Sequence, residues 1–246
     1  MSIKLLHLYH DIMNLYGDYG NIVILKKHLE DQGLNVVLDK KTIDDEINFK
    51  NYDFIFIGSG TERNLDFVLE DLKKKSEPLK EYIENNGIIL CTGNSFEMFG
   101  EKIDNNDALK IFDFEVRRDK DRTTSDIIYE SKFLNKPVVG FVNKQTKIYH
   151  NMNPFFSVIF GIGENEKNDY EGVKYKNFYG THISGPVLVR NPELLEKLVL
   201  DIAKSNQSGF KQKKVQYTNE EKGYELVLSE LKKRQEGKKW LLKKSR

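Results

Sequence analysis

The chain has 246 residues, 39% of them hydrophobic and 31% charged, with a formal net charge of +1. That balance gives no global attraction to nucleic acid or to an anionic membrane, and a single cysteine excludes an internal disulfide framework and points to a reducing compartment. With no apolar run long enough for a membrane span and no signal-peptide pattern in MSIKLLHLYH, the expectation is a cytoplasmic protein without membrane insertion.

In chain order, IKLLHLY (3–9) reads as a strand, followed by the loop HDIMNLYGDYG. NIVILKKHLEDQG reads as an amphipathic helix stopped at Gly33. LNVVLDK is a second strand. YDFIFIG (52–58) is the continuous apolar run of a strand covered on both faces, and it ends in the loop SGTERN. Residues 64–85 are helical in pattern, with Pro78 dividing two helices or opening the second. GIILC (87–91) is another buried strand, and a helix is expected to begin near Ser95. Strands alternating with helices predict a parallel α/β sheet.

The middle of the chain alternates apolar and polar residues in FDFEVRRDKDRTTSDIIYES, PVVGFVNKQTKIYH and FFSVIFGIG. These read as antiparallel strands appended to the sheet. YKNFYGTHISGPVL (175–188) returns to a strand and loop. NPELLEKLVLDIAKS is a helix with an Asn cap and Pro at its first position. The expected division is a domain over residues 1–205, then a polar linker (206–217) and a last amphipathic helix (218–236). That helix becomes basic toward KKWLLKKSR and would pack on the domain or on a partner.

Open parallel sheets build their sites beyond the carboxyl ends of the strands. Three loops qualify: GSGTERN after the 52–57 strand, CTGNSFE after the 88–91 strand, and THISGP after the 175–180 strand. GIILCTGNSFEMFG has the outline of a nucleophile elbow, with Cys91 close to the turn. Glu62 and Glu97 read as solvated loop charges. There is no phosphate loop and no Cys/His cluster with metal-ligand spacing, so neither a cofactor nor a metal is expected.

Several blocks, in order, carry a family resemblance: HLYHDIMNLYGDYGNIVILK, YDFIFIGSG, EYIENNGIILCTGNSFEMFG, KDRTTSDI, GFVN and YEGVKYKNFYGTHISGPVLVRN. Over roughly residues 3–200 the chain resembles class I glutamine amidotransferases of the cobyric-acid-synthase (CobB/CobQ) type. Within these it is most similar to the GatD-type subunits of lipid II isoglutaminyl synthase. The resemblance implies a flavodoxin-like mixed sheet flanked by helices, glutamine as substrate, and a MurT-like Mur ligase as partner. It also sets a register. The family's nucleophilic cysteine lies seven residues before the closing glycine of its block, and counting back from Gly100 reaches Gly93 rather than Cys91. The family's histidine before Gly-Pro is Ser184 here, and His182 lies two residues earlier. Asn94 and Ser95 stand for a Gly-Gly pair and Glu97 for a Gln. Arg122 matches the arginine that holds substrate, and Gly58 and Gly60 belong to the oxyanion strap.

By that register both catalytic groups are replaced. Gly93 has no side chain, and the Ser184 hydroxyl is no base near neutral pH. Gly93 is expected at a sharp turn with positive φ, facing a concavity shared with Ser184 and residues 58–60. Two alternatives stay open. One is an active glutaminase with a displaced dyad of Cys91 and His182. The other is a binding module for glutamine or another small amino acid, with Arg122, Gly58, Gly60, Asn94 and Glu97 around the ligand.

Overall fold

The first half of the chain alternates strand and helix, as its apolar runs ask. The computed structural model describes residues 2–244, with side chains described through residue 237. β1 (Ile3–Leu8), α1 (Tyr19–Asp31), β2 (Val36–Lys41), β3 (Phe54–Ile57), α2 (Glu62–Lys73), α3 (Ser76–Glu84) and β4 (Ile88–Thr92) come first. β3 and β4, FIFI and IILCT, are buried at every residue, as strands sandwiched between helices should be. Next come the short strands β5 (Lys102–Ile103) and β6 (Asn106–Asp107), then β7 (Phe114–Glu130), β8 (Val138–His150), β9 (Pro154–Phe160) and β10 (Tyr170–Tyr175). β11 (Phe178–Thr181) and β12 (Ile183–Ser184) are separated by His182 alone. α4 (Val187–Arg190), α5 (Pro192–Asn206) and α6 (Thr218–Lys244) follow.

Among the described residues these strands make one mixed sheet, in the order β12-β8-β7-β9-β10-β11-β4-β3-β1-β2, with β5 and β6 attached beside β7. The segment β2-β1-β3-β4-β11 is parallel, the flavodoxin-like doubly wound order. The remaining strands of the path pair antiparallel. Because β11 pairs with β10 while β12 pairs with β8, these strands close into a ring, and His182 is the residue at which it closes.

The two faces of the parallel sheet alternate as a period of two requires. Ile55, Ile57 and Cys91 face one apolar cluster with Leu65 and Val68 of α2 and Ile83 of α3. Phe54, Phe56 and Leu90 face the other, with Leu25 and Leu29 of α1 and Leu195 and Leu198 of α5. Tyr224, Leu228 and Leu231 of α6 form one helical stripe packed with Ile128 and Val139. The segment before α6 is held to α1: the Gln32 side chain bonds both the N–H and the carbonyl of Lys213, and Tyr217 stacks on His28 at 3.7 Å. No helix among the described residues is long and apolar enough to cross a membrane.

Three local expectations change. The segment after β4 is a 3-10 turn from Gly93 to Phe99, beginning two residues before Ser95. The Ser95 hydroxyl lies within reach of two carbonyls, that of Ile57 and that of Thr92 three residues back, and the Thr92 contact is the kind of short-range bond that competes with an α-helical start. Asn191 does not cap α5 with its side chain. Its amide instead accepts from Val139 N–H and donates to the carbonyls of Val139 and Val187, tying the helix entrance to β8. α6 runs on to Lys244 rather than ending at 236, and the side chains of its basic end, KKWLLKKSR, lie outside the described residues.

Candidate functional site

β4 delivers the chain to Gly93, which turns at φ +61°. An L side chain pays a steric penalty there that glycine avoids. The space is also taken: a Cβ built on Gly93 would lie 2.3 Å from the Cβ of Ser59 and 3.3 Å from its Cα. Ser59 is the middle residue of the strap after β3, and Asp18 fixes it. The buried Asp18 carboxylate accepts from Ser59 N–H (2.7 Å), Ser59 Oγ (2.7 Å) and Thr92 Oγ1 (2.8 Å). Burial pushes Asp18 up to about 6, against the downward pull of those hydrogen bonds.

The next strap residue is held from the other side. Asn94 Oδ1 accepts from Gly60 N–H and Asn94 Nδ2 donates to the Gly60 carbonyl, both at 3.0 Å. The N–H groups of Ser59 and Gly60 are therefore both engaged by side chains of the protein itself. Gly58 lies behind the strap rather than on the cavity wall, and a Cβ there would meet the Met13 carbonyl oxygen at 2.5 Å.

Gly93, Ser59, Gly60, Asn94, Glu97, Arg122 and Ser184 line one small cavity of about 130 Å³. That is below the roughly 300–1,000 Å³ usual for small-molecule sites. Ser184 is buried, and its hydroxyl donates to the His182 carbonyl at 3.3 Å. Arg122 reaches the cavity already paired. Its guanidinium bonds Glu62, Asn143 Oδ1 (3.1 Å) and Gln145 Oε1 (3.4 Å). Glu62 is thus a half-exposed partner of Arg122 as well as a loop charge.

Glu97 departs further from its reading as a loop charge, since it is 1% exposed. Its Oε1 accepts from Thr146 Oγ1 at 2.5 Å and lies 2.9 Å from His182 Nε2. His182 sits inside the ring of antiparallel strands, with Phe96 against its ring edge at 4.6 Å. Its backbone N–H donates to Glu171 Oε1 at 2.6 Å, and Thr181 Oγ1 donates to Glu171 Oε2 at 2.8 Å. Glu164 is wholly buried beside them and accepts from Gly172 N–H. Lys144 Nζ donates to the carbonyls of Gly163 (2.7 Å) and Glu164 (2.8 Å). Burial and Lys144 oppose charge on the imidazole, but Glu164, Glu171 and Glu97 outweigh them and push His182 up to about 9. Burial pushes the Glu164 carboxyl up as well.

Cys91 is elsewhere. It is fully buried in the apolar cluster beneath α2, and burial drives its thiol far above the ordinary range. Its register partner on β11 is Gly180, while Thr181 lies opposite Thr92, so His182 falls beyond the level of Cys91 by two residues. That is a displacement of about 6–7 Å along the strand. Both nitrogens of His182 face carboxylates.

Sequence reasoning did not single out Lys144, Glu164 or Glu171, and it had Ser59 only as part of residues 58–60 and Asp18 only as an acid of the loop before α1. Two of them left a signal. Lys144 and Thr146 stand in phase with the buried residues Val142 and Ile148 on β8, which makes both inward-facing. Ser59 stands between two glycines that pack closely on Met13.

Comparison with known proteins gives the family. Residues 4–192 match the CobB/CobQ-like glutamine amidotransferase domain. The chain is 31% identical over 206 residues to the lipid II isoglutaminyl synthase (glutamine-hydrolyzing) subunit GatD of Streptococcus pneumoniae, covering 80% of this chain and 79% of that one. It is 33% identical over 205 residues to the GatD subunit of Staphylococcus aureus, covering 80% and 83%. Among solved structures, a glutamine amidotransferase from Thermotoga maritima aligns with a TM-score of 0.49 at 12% identity, over 84% of this chain and 86% of that one. With a domain match over most of its length and two relatives above 30% identity, the chain belongs to the CobB/CobQ-like glutamine amidotransferase family.

Proposed function

We propose that this chain is a GatD-like subunit that has lost glutaminase activity and serves as a scaffold or regulator of a MurT-like Mur ligase subunit. One observation carries the reading: Ser59 fills the space that a side chain at Gly93 would need. Hydrolysis of glutamine requires a thiolate, a base and N–H donors aimed at the oxyanion. At the family's positions this chain offers glycine for the thiol and serine for the base. The strap N–H groups that could serve an oxyanion are bonded to Asp18 and Asn94. Loss of a single oxyanion donor costs about 10²–10³ in rate in other enzymes, and here every component is altered.

The displaced dyad draws no support from the buried, apolar setting of Cys91 or from the two-residue register offset of His182. Ligand binding without chemistry has one point in its favour, the presence of Arg122 on the cavity wall. Pairing with Glu62 and the small volume weigh against it. The relatives' names, which make GatD a subunit of a synthase, support a partner subunit, and the family resemblance is what suggests a MurT-like ligase. The test is reconstitution with a MurT-like ligase. Amidation of the ligase's substrate should proceed with ammonium and fail with glutamine. Glutamine-driven amidation by the pair would refute the loss of glutaminase activity, and failure of the two chains to associate would refute the scaffold role.

A further inference from the structure

We propose that Glu164, Glu171 and His182 form a site for a divalent transition-metal cation, zinc in chemical class, that ties together three segments of the ring of antiparallel strands. His182 Nδ1 lies 3.6 Å from Glu164 Oε2 and 3.6 Å from Glu171 Oε1, and the donor atoms of the three residues fall within 4.8 Å of one another. Those separations are too long for hydrogen bonds. The two 3.6 Å separations suit edges of a tetrahedral site, because ligands about 2.0–2.2 Å from zinc stand roughly 3.3–3.6 Å apart.

A second observation is independent of the spacing. Glu164 Oε2 and His182 Nδ1 have no hydrogen-bond partner among the described residues, though both residues are at most 1% exposed. Leaving such atoms buried without a hydrogen bond is costly. A cation between them would satisfy both at once.

The surroundings have the form of a metal site's supporting shell. A ligating histidine commonly donates its other ring N–H to a carboxylate, which fixes its tautomer. Here His182 Nε2 is 2.9 Å from Glu97 Oε1, so a proton on Nε2 leaves Nδ1 free to ligate. Glu164 is oriented by Gly172 N–H, and Glu171 by His182 N–H and Thr181 Oγ1. Charge closes as well. In a metal-bound site with ionised carboxylates, Glu97, Glu164 and Glu171 would bring three negative charges, with the one positive charge of Lys144 beside them. A dication with neutral His182 makes up the difference. An imidazole in the donor set favours zinc-like metals over magnesium or calcium.

The cation would join the loop before β10, β10 itself and the β11–β12 junction. It is independent of whether glutamine is hydrolysed. The test uses the full chain purified without metal-affinity steps. After removal of metal with a chelator, zinc is titrated calorimetrically and the melting temperature is read with and without zinc. Binding of one zinc per chain with a rise in melting temperature of several degrees supports the site. Glu164→Gln should abolish that binding, and Glu97→Gln should weaken it by about 10–100-fold, the range for a lost supporting contact. No saturable zinc binding by the unaltered chain, or equal binding by a folded Glu164→Gln, would overturn the proposal. If Glu164→Gln does not fold, the zinc isotherm of the unaltered chain and Glu97→Gln decide the matter.

Discussion

Ser59 leaves no room for a side chain at Gly93: a Cβ on Gly93 would come within 2.3 Å of the Ser59 Cβ, closer than real Cβ atoms approach. The two residues are coupled by sterics, and Asp18 holds the pair from below through Ser59 and Thr92.

Restoring the cysteine should therefore damage the fold before it helps the chemistry. Gly93→Cys adds a side chain at positive φ, worth about 1–2 kcal/mol, and overpacks Ser59, worth a further ~1–3 kcal/mol. Denaturant midpoints should show the loss. Ser59→Gly in the same chain should recover the overpacking part, giving a favourable coupling in a double-mutant cycle. The pair Gly93→Cys with Ser184→His, which the family register alone recommends, should stay inactive until Ser59→Gly is added. Additive effects of Ser59→Gly and Gly93→Cys would show that the contact is relieved elsewhere.

Cys91 should resist alkylation in the native state. Burial at 0% exposure keeps reagent out, and the raised pKa leaves almost no thiolate. Labelling should follow global unfolding, and mass spectrometry of the intact chain measures it. Rapid modification of the folded protein would point to an open, ionised thiol.

Asp18 should make stability depend on pH in an unusual direction. Its folded pKa, about 6, lies above the unfolded value. The native chain then holds a proton that the unfolded chain releases. The native state is favoured at low pH and loses that advantage as pH rises from about 4 through about 6. The loss is on the order of 2–3 kcal/mol for a shift near two units. Asp18→Asn removes this titration, so the stability difference between the two proteins should change with pH over that window and flatten above it. A constant difference from pH 4 to 7 would contradict the assignment.

Asn191→Ala should cost about 2–4 kcal/mol. The amide satisfies Val139 N–H, Val139 C=O and Val187 C=O, all in a buried setting. Its removal leaves unpaired buried backbone groups at roughly 1–3 kcal/mol each, with partial relaxation. Chemical denaturation measures it. A loss of a few tenths of a kcal/mol would mean that an ordinary helix cap had been removed.

Much of the fold was legible because parallel strands announce themselves. FIFI and IILCT leave no polar side for solvent, and β8 writes its two faces as an alternation. Gly93 and Ser184 could be placed on one cavity from the family register, and the cavity does bring them together. What the sequence hid is polar burial. Glu97 follows an elbow and has the look of a surface residue, yet it faces Thr146 on β8 and His182 after β11. Glu164 and Glu171 stand in a stretch of charged and small residues, and only ring closure by β12 on β8 turns them inward. No local periodicity encodes that closure, because it is set by pairing between segments about forty residues apart. The clash between Gly93 and Ser59 was hidden for the same reason: they meet only across β3 and β4.

Ammonia release from glutamine by the purified chain, alone and with a MurT-like ligase, beside Cys91→Ala, tests the proposed loss of glutaminase activity. Release should be no faster than the uncatalysed background in both proteins and under both conditions, because Ser59 leaves no room for a side chain at Gly93 and Cys91 is sealed in the core. Glutamine-dependent release by the unaltered chain that disappears in Cys91→Ala would contradict that loss and make Cys91 the nucleophile.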